Sequence, residues 1–276
     1  MKEVCLQDLQ KIELGILVYI DQVCKEHNLK YFLCGGTLLG AIRHKGFIPW
    51  DDDIDICMPR PDYDKFIEIL KHAEGKYKIL YPGQKDYYYN FAKLVDSETI
   101  LNEYTCQPID NMGVYVDIFP IEGMPLQADA RQKHYNKLNR LRKRINAFSL
   151  LKPRIRKNVI KYLQSFILYK MNKKDDLLKY QQEYERLAKQ YDYDASEYTY
   201  MSGGAYAEKE IFPKYVLNSY EKRFFEGREF NIIKEYDVYL TQLYGDYMKL
   251  PPKEKQVTHH RFTVEYKHIE QTRGKI

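Results

Sequence analysis

Between Trp50 and Met58 the chain reads Trp-Asp-Asp-Asp-Ile-Asp-Ile-Cys-Met, with carboxylates and aliphatic residues alternating at every second position. Period two belongs to an extended chain with one face buried, because successive side chains of a strand point to opposite sides. Ile54, Ile56 and Met58 therefore go to a core, while Asp53 and Asp55 emerge together about 7 Å apart, with Asp51 leading in. Acids so placed repel one another unless a divalent cation lies between them. All-oxygen ligation suits Mg²⁺ or Mn²⁺, ions that in turn hold substrate phosphates. An EF-hand is excluded, since its glycine position falls on Ile56 and its glutamate position on Asp62. An acidic loop or helix cap is the competing reading, and the aliphatic alternation behind the acids weighs against it.

Two neighbouring segments extend this pattern. Val114–Phe119 is an apolar strand with Asp117 at its centre, a charge that is costly there unless paired or ligated. If that strand lies beside the first, Asp117 completes a carboxylate cluster for metal-assisted phosphoryl transfer. Upstream, Tyr31–Cys34 is a short strand that runs into Gly35-Gly36-Thr37 and a helix; such a turn offers backbone N–H groups to an anion. Arg43 and Lys45 follow, either as phosphate donors or as charges at a helix C-terminus. Trp50 abuts the acids, and Tyr87, Tyr88 and Tyr115 are further aromatic candidates for holding a base or a quaternary ammonium group. No histidine pattern of a zinc site and no local signature of Ser or Cys nucleophilic catalysis occurs.

Along the rest of the chain, the 3.6-residue rhythm of Leu6 to His27 predicts an amphipathic helix, and residues 61–73 look helical too. Strands are expected at 77–81, 89–95 and 114–121, a hairpin near 224–230, a helix over 236–243, and a polar tail after Pro252. The expected organisation is a mixed-sheet α/β (α+β) core over residues 1–126, a basic helical segment over 127–195, and a C-terminal portion over 196–276 that completes the site. Charge sets the middle segment apart. Residues 131–174 hold 15 Lys or Arg and no acid, leaving 29 basic residues against 39 acidic ones elsewhere in the 276-residue chain. An anionic membrane surface is one partner such a segment suits, a solvated helical face the alternative. Five scattered cysteines without a C-x-x-C pair point to reduced thiols and the cytoplasm. The N-terminus has no signal-peptide order, and no window of about 18 apolar residues exists, so neither export nor membrane spanning is expected.

The run GGTLLGAIRHKGFIPWDDDIDICMPRPDY closely resembles the signature of the LicD family of phosphotransferases, whose eukaryotic relatives include fukutin-like ribitol-phosphate transferases. The likeness continues through FAKLVD, GVYVDIFPIEG, FEGREF and YLTQLYGDYMKLPP, with His259-His260 behind them. It implies a nucleotidyltransferase-like fold and transfer of phosphocholine, or a similar phospho-alcohol, from CDP-choline or another CDP-alcohol to a sugar hydroxyl of a surface glycan, lipid-linked oligosaccharide or teichoic acid precursor. By position it makes Asp51, Asp53, Asp55 and Asp117 the metal ligands, with Asp53, Asp55 and Asp117 catalytic. Gly35, Gly36, Thr37, Arg43, Lys45, Trp50, Lys93 and His259 are the corresponding substrate-binding candidates. The resemblance places the protein at the inner face of a bacterial membrane and involves no nucleic acid. Two alternatives stand beside it: a nucleotide-sugar glycosyltransferase using Asp53 and Asp55, and a non-enzymatic module docking through the basic segment.

Overall fold

Leu9, Ile16, Leu17, Ile20 and Val23 recur at helical spacing, and all five are buried on one side of α1 (Leu6–Glu26). The computed structural model describes residues 4–104, 106–151, 159–172, 176–258 and 262–267. After α1 come β1 (Phe32–Leu33), α2 (Gly35–Arg43), β2 (Asp55–Pro59), α3 (Arg60–Lys71), β3 (Tyr77–Leu80), β4 (Ala92–Asp96), β5 (Thr99–Glu103) and β6 (Tyr115–Met124). The middle of the chain forms α4 (Ala128–Ala147), α5 (Val159–Asn172) and α6 (Leu177–Ala188). The remainder is β7 (Tyr198–Met201), β8 (Ile211–Pro213), α7 (Lys214–Leu217), β9 (Tyr220–Phe225), β10 (Arg228–Ile233), α8 (Tyr236–Tyr244) and β11 (Phe262–Tyr266).

The main sheet is mixed and has the order β1-β2-β6-β4-β3, with β7 hydrogen-bonded to the far end of β6 and β8 to β7. Helices pack on it, which is the α/β arrangement expected from the sequence. All ten residues of β6 are buried, as befits a strand covered on both faces. Two charged residues on β6 therefore need partners. Asp117 faces Lys93 of β4, and Glu122 receives the guanidinium of Arg60, whose other side reaches Asp64 and Glu185 of α6. Through Arg60 the α4 and α6 layer is tied to the sheet, and a second small core of Leu138, Ile145, Tyr184, Leu187 and Tyr200 forms there. Strands from the C-terminal portion thus complete a sheet that the first 126 residues begin.

Three boundaries differ from the sequence reading. The ladder of β2 starts only at Asp55, so Asp51–Ile54 run into the strand without forming it. Strand β4 starts at Ala92 instead of Tyr89, because the carbonyls of Tyr87 and Tyr89 accept hydrogen bonds from the Gln181 side chain in place of a neighbouring strand. The tail after Pro252 is not merely polar: Phe262–Tyr266 pairs antiparallel with Thr99–Glu103, and neither strand was expected.

Candidate active site

The parallel register of β2 and β6 sets Asp55 directly opposite Asp117, and the antiparallel register of β4 sets Lys93 opposite Asp117 on its other side. Residues paired across neighbouring strands share a face of the sheet, so one row carries acid, acid and base. The alternation Asp51, Asp53, Asp55 continues onto that face although Asp51 and Asp53 precede the ladder; Ile54, Ile56 and Met58 lie fully buried behind. Asp51, Asp53, Asp55 and Asp117 all line one cleft of about 650 Å³.

The glycines are there because the acids leave no room for anything larger. Gly35 adopts φ +55°, and a Cβ on it would sit 3.0 Å from Asp55 Oδ2; a Cβ on Gly36 would sit 2.9 Å from Asp51 Oδ2. Helix α2 begins at Gly35 with Cys34 as its N-cap, and its first intrahelical bond runs from Leu38 N to Cys34 O. The N–H groups of Gly36 and Thr37 thus have no intrahelical acceptor. Thr37 Oγ1 accepts the N–H of Asp55 at 2.8 Å, which locks the helix start to the strand start; its hydroxyl is a positioning group. From below, Gln10 of α1 donates to Asp51 O at 2.9 Å, and Tyr239 of α8 accepts the Gly35 N–H.

Burial, and then the charges of Asp53, Asp117 and Asp51, push the Asp55 carboxyl well above the usual carboxylate range. Glu13 on α1 is raised likewise, first by burial and then by Asp53 and Asp52. Ligand oxygens of Asp51, Asp52 and Asp53 also come within 4.8 Å of one another. An all-oxygen, charge-strained donor set of this kind fits a hard divalent cation such as Mg²⁺ or Mn²⁺.

The remaining candidates separate clearly. Arg43 and Trp50 line the cleft with the acids, and Arg43 Nη1 donates to Tyr247 O. Lys45 does not line it; its carbonyl accepts the N–H of Glu226. Lys93 is buried, paired with Asp117, and its ammonium lies 3.4 Å from the Tyr115 ring centre and 4.6 Å from that of Tyr89. Tyr115 is thereby committed to Lys93. Tyr87 donates to Phe91 O and Tyr88 to Gln107 O, and neither lines the cleft. His259 lies outside the described residues.

Sequence reasoning missed part of the cleft. Tyr206, Glu210, Tyr244, Tyr247, Lys249 and Lys255 line the same cleft as the acids, which adds cationic and aromatic groups to it. Tyr244 and Lys249 belong to the YLTQLYGDYMKLPP run, which the sequence offered only as part of a resemblance. Glu210 is fully buried; its Oε1 accepts the Tyr206 N–H at 3.0 Å, its Oε2 has no hydrogen-bond partner, and burial pushes it up to about 8. At neutral pH it is chiefly a neutral acid that offers a proton. The folded chain holds that proton where an unfolded carboxyl near 4.5 has lost it, so stability falls as pH rises through this window and levels off above about 8. Glu210→Gln should therefore gain on the wild type between pH 5 and 8, by up to a few kcal/mol. Thermal unfolding of both proteins across that range measures it, and a pH-independent difference would show the carboxyl to be ionised throughout.

A family model described as LicD/FKTN/FKRP, nucleotidyltransferase domain, matches residues 28–143, the stretch that holds the glycine turn and every acid of the cluster. The lipopolysaccharide cholinephosphotransferase LicD of Haemophilus influenzae is 34% identical over 271 residues, covering 94% of this chain and 97% of that protein. The chain belongs to the LicD family. Mouse ribitol 5-phosphate transferase FKRP is 30% identical over 102 residues, which are 37% of the LicD-family chain and 19% of the mouse protein. This LicD-family protein is a phosphotransferase, and the reading of it as a non-enzymatic docking module falls away. A glycosyltransferase reading finds no support either: one helix, one strand and one helix precede the acids, not the several βα units such enzymes place there. Lys249 and Lys255 lie beyond the matched domain, so both that domain and the C-terminal portion line the LicD-family cleft.

Proposed function

We propose that this chain transfers phosphocholine, or a closely similar phospho-alcohol, from a CDP-alcohol to a hydroxyl of a cell-surface glycan such as lipopolysaccharide or a teichoic acid precursor, releasing CMP. The observation that carries this reading is the register row of Asp55 and Asp117 in a cleft that Arg43, Lys249 and Lys255 also line. Asp51, Asp53, Asp55 and Asp117 would hold Mg²⁺ or Mn²⁺, which when bound supplies positive charge to the donor diphosphate. Arg43, Lys249 and Lys255 bind the outer phosphate oxygens, and the Gly36 and Thr37 N–H groups steady the anion at the start of α2. The acceptor oxygen attacks the phosphorus bearing the alcohol, and the bond from that phosphorus to the CMP oxygen breaks. Asp117 takes the acceptor proton, and the Lys93 ammonium behind it favours its return to the carboxylate. The test is CMP release from CDP-choline, CDP-glycerol and CDP-ribitol with each acceptor, with Mg²⁺ or Mn²⁺ and after chelation. Release with none of the donors, or release indifferent to chelation, would reject the proposal.

If choline is the transferred alcohol, its trimethylammonium has charge but no hydrogen-bond donor, and only aromatic faces or carboxylates can hold it. The aromatic side chains that line the cleft are Trp50, Phe119, Tyr206, Tyr244 and Tyr247, with Tyr206 and Tyr244 edge to face at 5.1 Å. Replacing the partner ring by Leu should raise KM for CDP-choline about 2- to 30-fold, the span of 0.5–2 kcal/mol for such a contact, and leave CDP-glycerol nearly unchanged. Kinetics of the Leu variants of Trp50, Tyr206, Tyr244 and Tyr247 on both donors check this; equal effects on the two donors in every variant would remove choline from the reading.

A further inference from the structure

Helix α5 exposes the residues a core helix would bury. Val159, Ile160, Leu163, Phe166 and Ile167 fall at i, i+1, i+4, i+7 and i+8 and so form a single stripe; they are 77%, 69%, 55%, 37% and 47% exposed. No Asp or Glu occurs in α5, and the helix contacts α4. On α4 a second stripe is polar: Lys133, Lys137, Arg140 and Lys143 are exposed at near-helical spacing, and among the described residues none of them pairs with an acid. Arg142, by contrast, is engaged with Gly204 O and Asn139. Among the described residues no helix is long and apolar enough to cross a membrane.

We infer that α5 lies in the plane of an anionic bilayer surface, its apolar stripe sunk to the acyl boundary and the α4 cations resting on lipid phosphates. Charge complementarity selects this occupant. An apolar stripe alone would suit a protein groove, but 44 consecutive residues with 15 cations and no acid, together with a water-facing apolar helix, match a surface that is anionic at its headgroups and apolar just beneath. The apolar stripe is independent of the charge count, and neither depends on which phospho-alcohol the cleft transfers.

The experiment is sedimentation of the full-length chain with phosphatidylglycerol and with phosphatidylcholine vesicles, without donor or acceptor, so it stays separate from any failure of the transfer assay. The wild type should partition onto phosphatidylglycerol and much less onto phosphatidylcholine. Leu163→Glu/Ile167→Glu should lower partitioning about tenfold or more, since each leucine-sized side chain buried contributes on that scale. Lys133→Glu/Lys137→Glu/Arg140→Glu should lower it too, and make the remainder less sensitive to salt. All substituted positions are exposed, so unfolding midpoints should match the wild type. In Leu163→Trp, lipids brominated on the acyl chain should quench the new tryptophan, while Trp50 in the cleft of the wild type should not be quenched. The proposal is overturned if the wild type ignores phosphatidylglycerol at low salt, if the α5 substitutions leave partitioning unchanged, or if the wild type is a dimer that those substitutions dissociate, in which case the stripe is an interface between copies.

Discussion

Asp55→Asn is expected to abolish turnover, by at least about 10²-fold, while making the cation-free protein more stable. The two effects have one cause. Asp55 is half-buried in the cleft, paired in register with Asp117 and near Asp53 and Asp51, and desolvation together with that surrounding charge holds its carboxyl well above its ordinary range. Asn keeps the shape and removes one negative charge from a cluster that repels itself. Relieving that repulsion raises the melting temperature of the cation-free protein. A cation that binds only the folded state raises the melting temperature of the wild type by mass action. That gain should shrink or vanish in Asp55→Asn, and likewise in Asp53→Asn. Melting curves with and without Mg²⁺ and Mn²⁺ therefore test the metal assignment without any substrate. A variant that is less stable without metal, or that gains as much from Mg²⁺ as the wild type does, would mean the acids are held by partners inside the protein rather than by a cation.

The acidic motif was legible because its signal is local: Asp51, Asp53 and Asp55 alternate with Ile54 and Ile56, and period two fixes which side each faces whatever strand lies alongside. That Asp117 joins them depended on β2 and β6 being neighbours, which the sequence could only pose as a condition. The parallel register Asp55 to Asp117 meets it. Lys93 was read as a phosphate donor because its charge was considered alone; a lysine within Ala-Lys-Leu-Val points equally to a buried pair, and choosing between the two needs the register that sets it opposite Asp117. Lys255 and Glu210 left no trace, and Lys249 entered only within a run carried by the resemblance, since all three reach the cleft from more than 150 residues beyond Asp51–Asp55 and no short-range period connects them. The stripe on α5 shows the converse limit. Its spacing is that of a core face, and only the packing of the described residues shows it exposed.

Lys93→Met should destabilise the fold by roughly 3–5 kcal/mol, the cost of removing one partner from a buried ion pair. Its side chain is 2% exposed, and its ammonium sits 2.5 Å from Asp117 Oδ1, ringed by Tyr115, Tyr89 and Phe91. Met preserves the apolar stem that runs between those rings, so what is lost is charge rather than packing. Asp117 then loses the Lys93 ammonium while still facing Asp55. Two consequences separate this from ordinary damage. Mg²⁺ should restore more stability to Lys93→Met than it adds to the wild type, because it supplies the charge the variant lacks. Lys93→Met/Asp117→Asn should recover a large part of the lost stability, since the two residues are in contact and their effects cannot add independently. Were Lys93 a phosphate donor instead, the single variant would raise KM for the CDP-alcohol with the melting temperature unchanged, and the second substitution would restore nothing. The geometry favours the first outcome: an ammonium enclosed by rings on one side and a carboxylate on the other can act on substrate only through Asp117, by setting how readily that carboxylate takes and returns a proton.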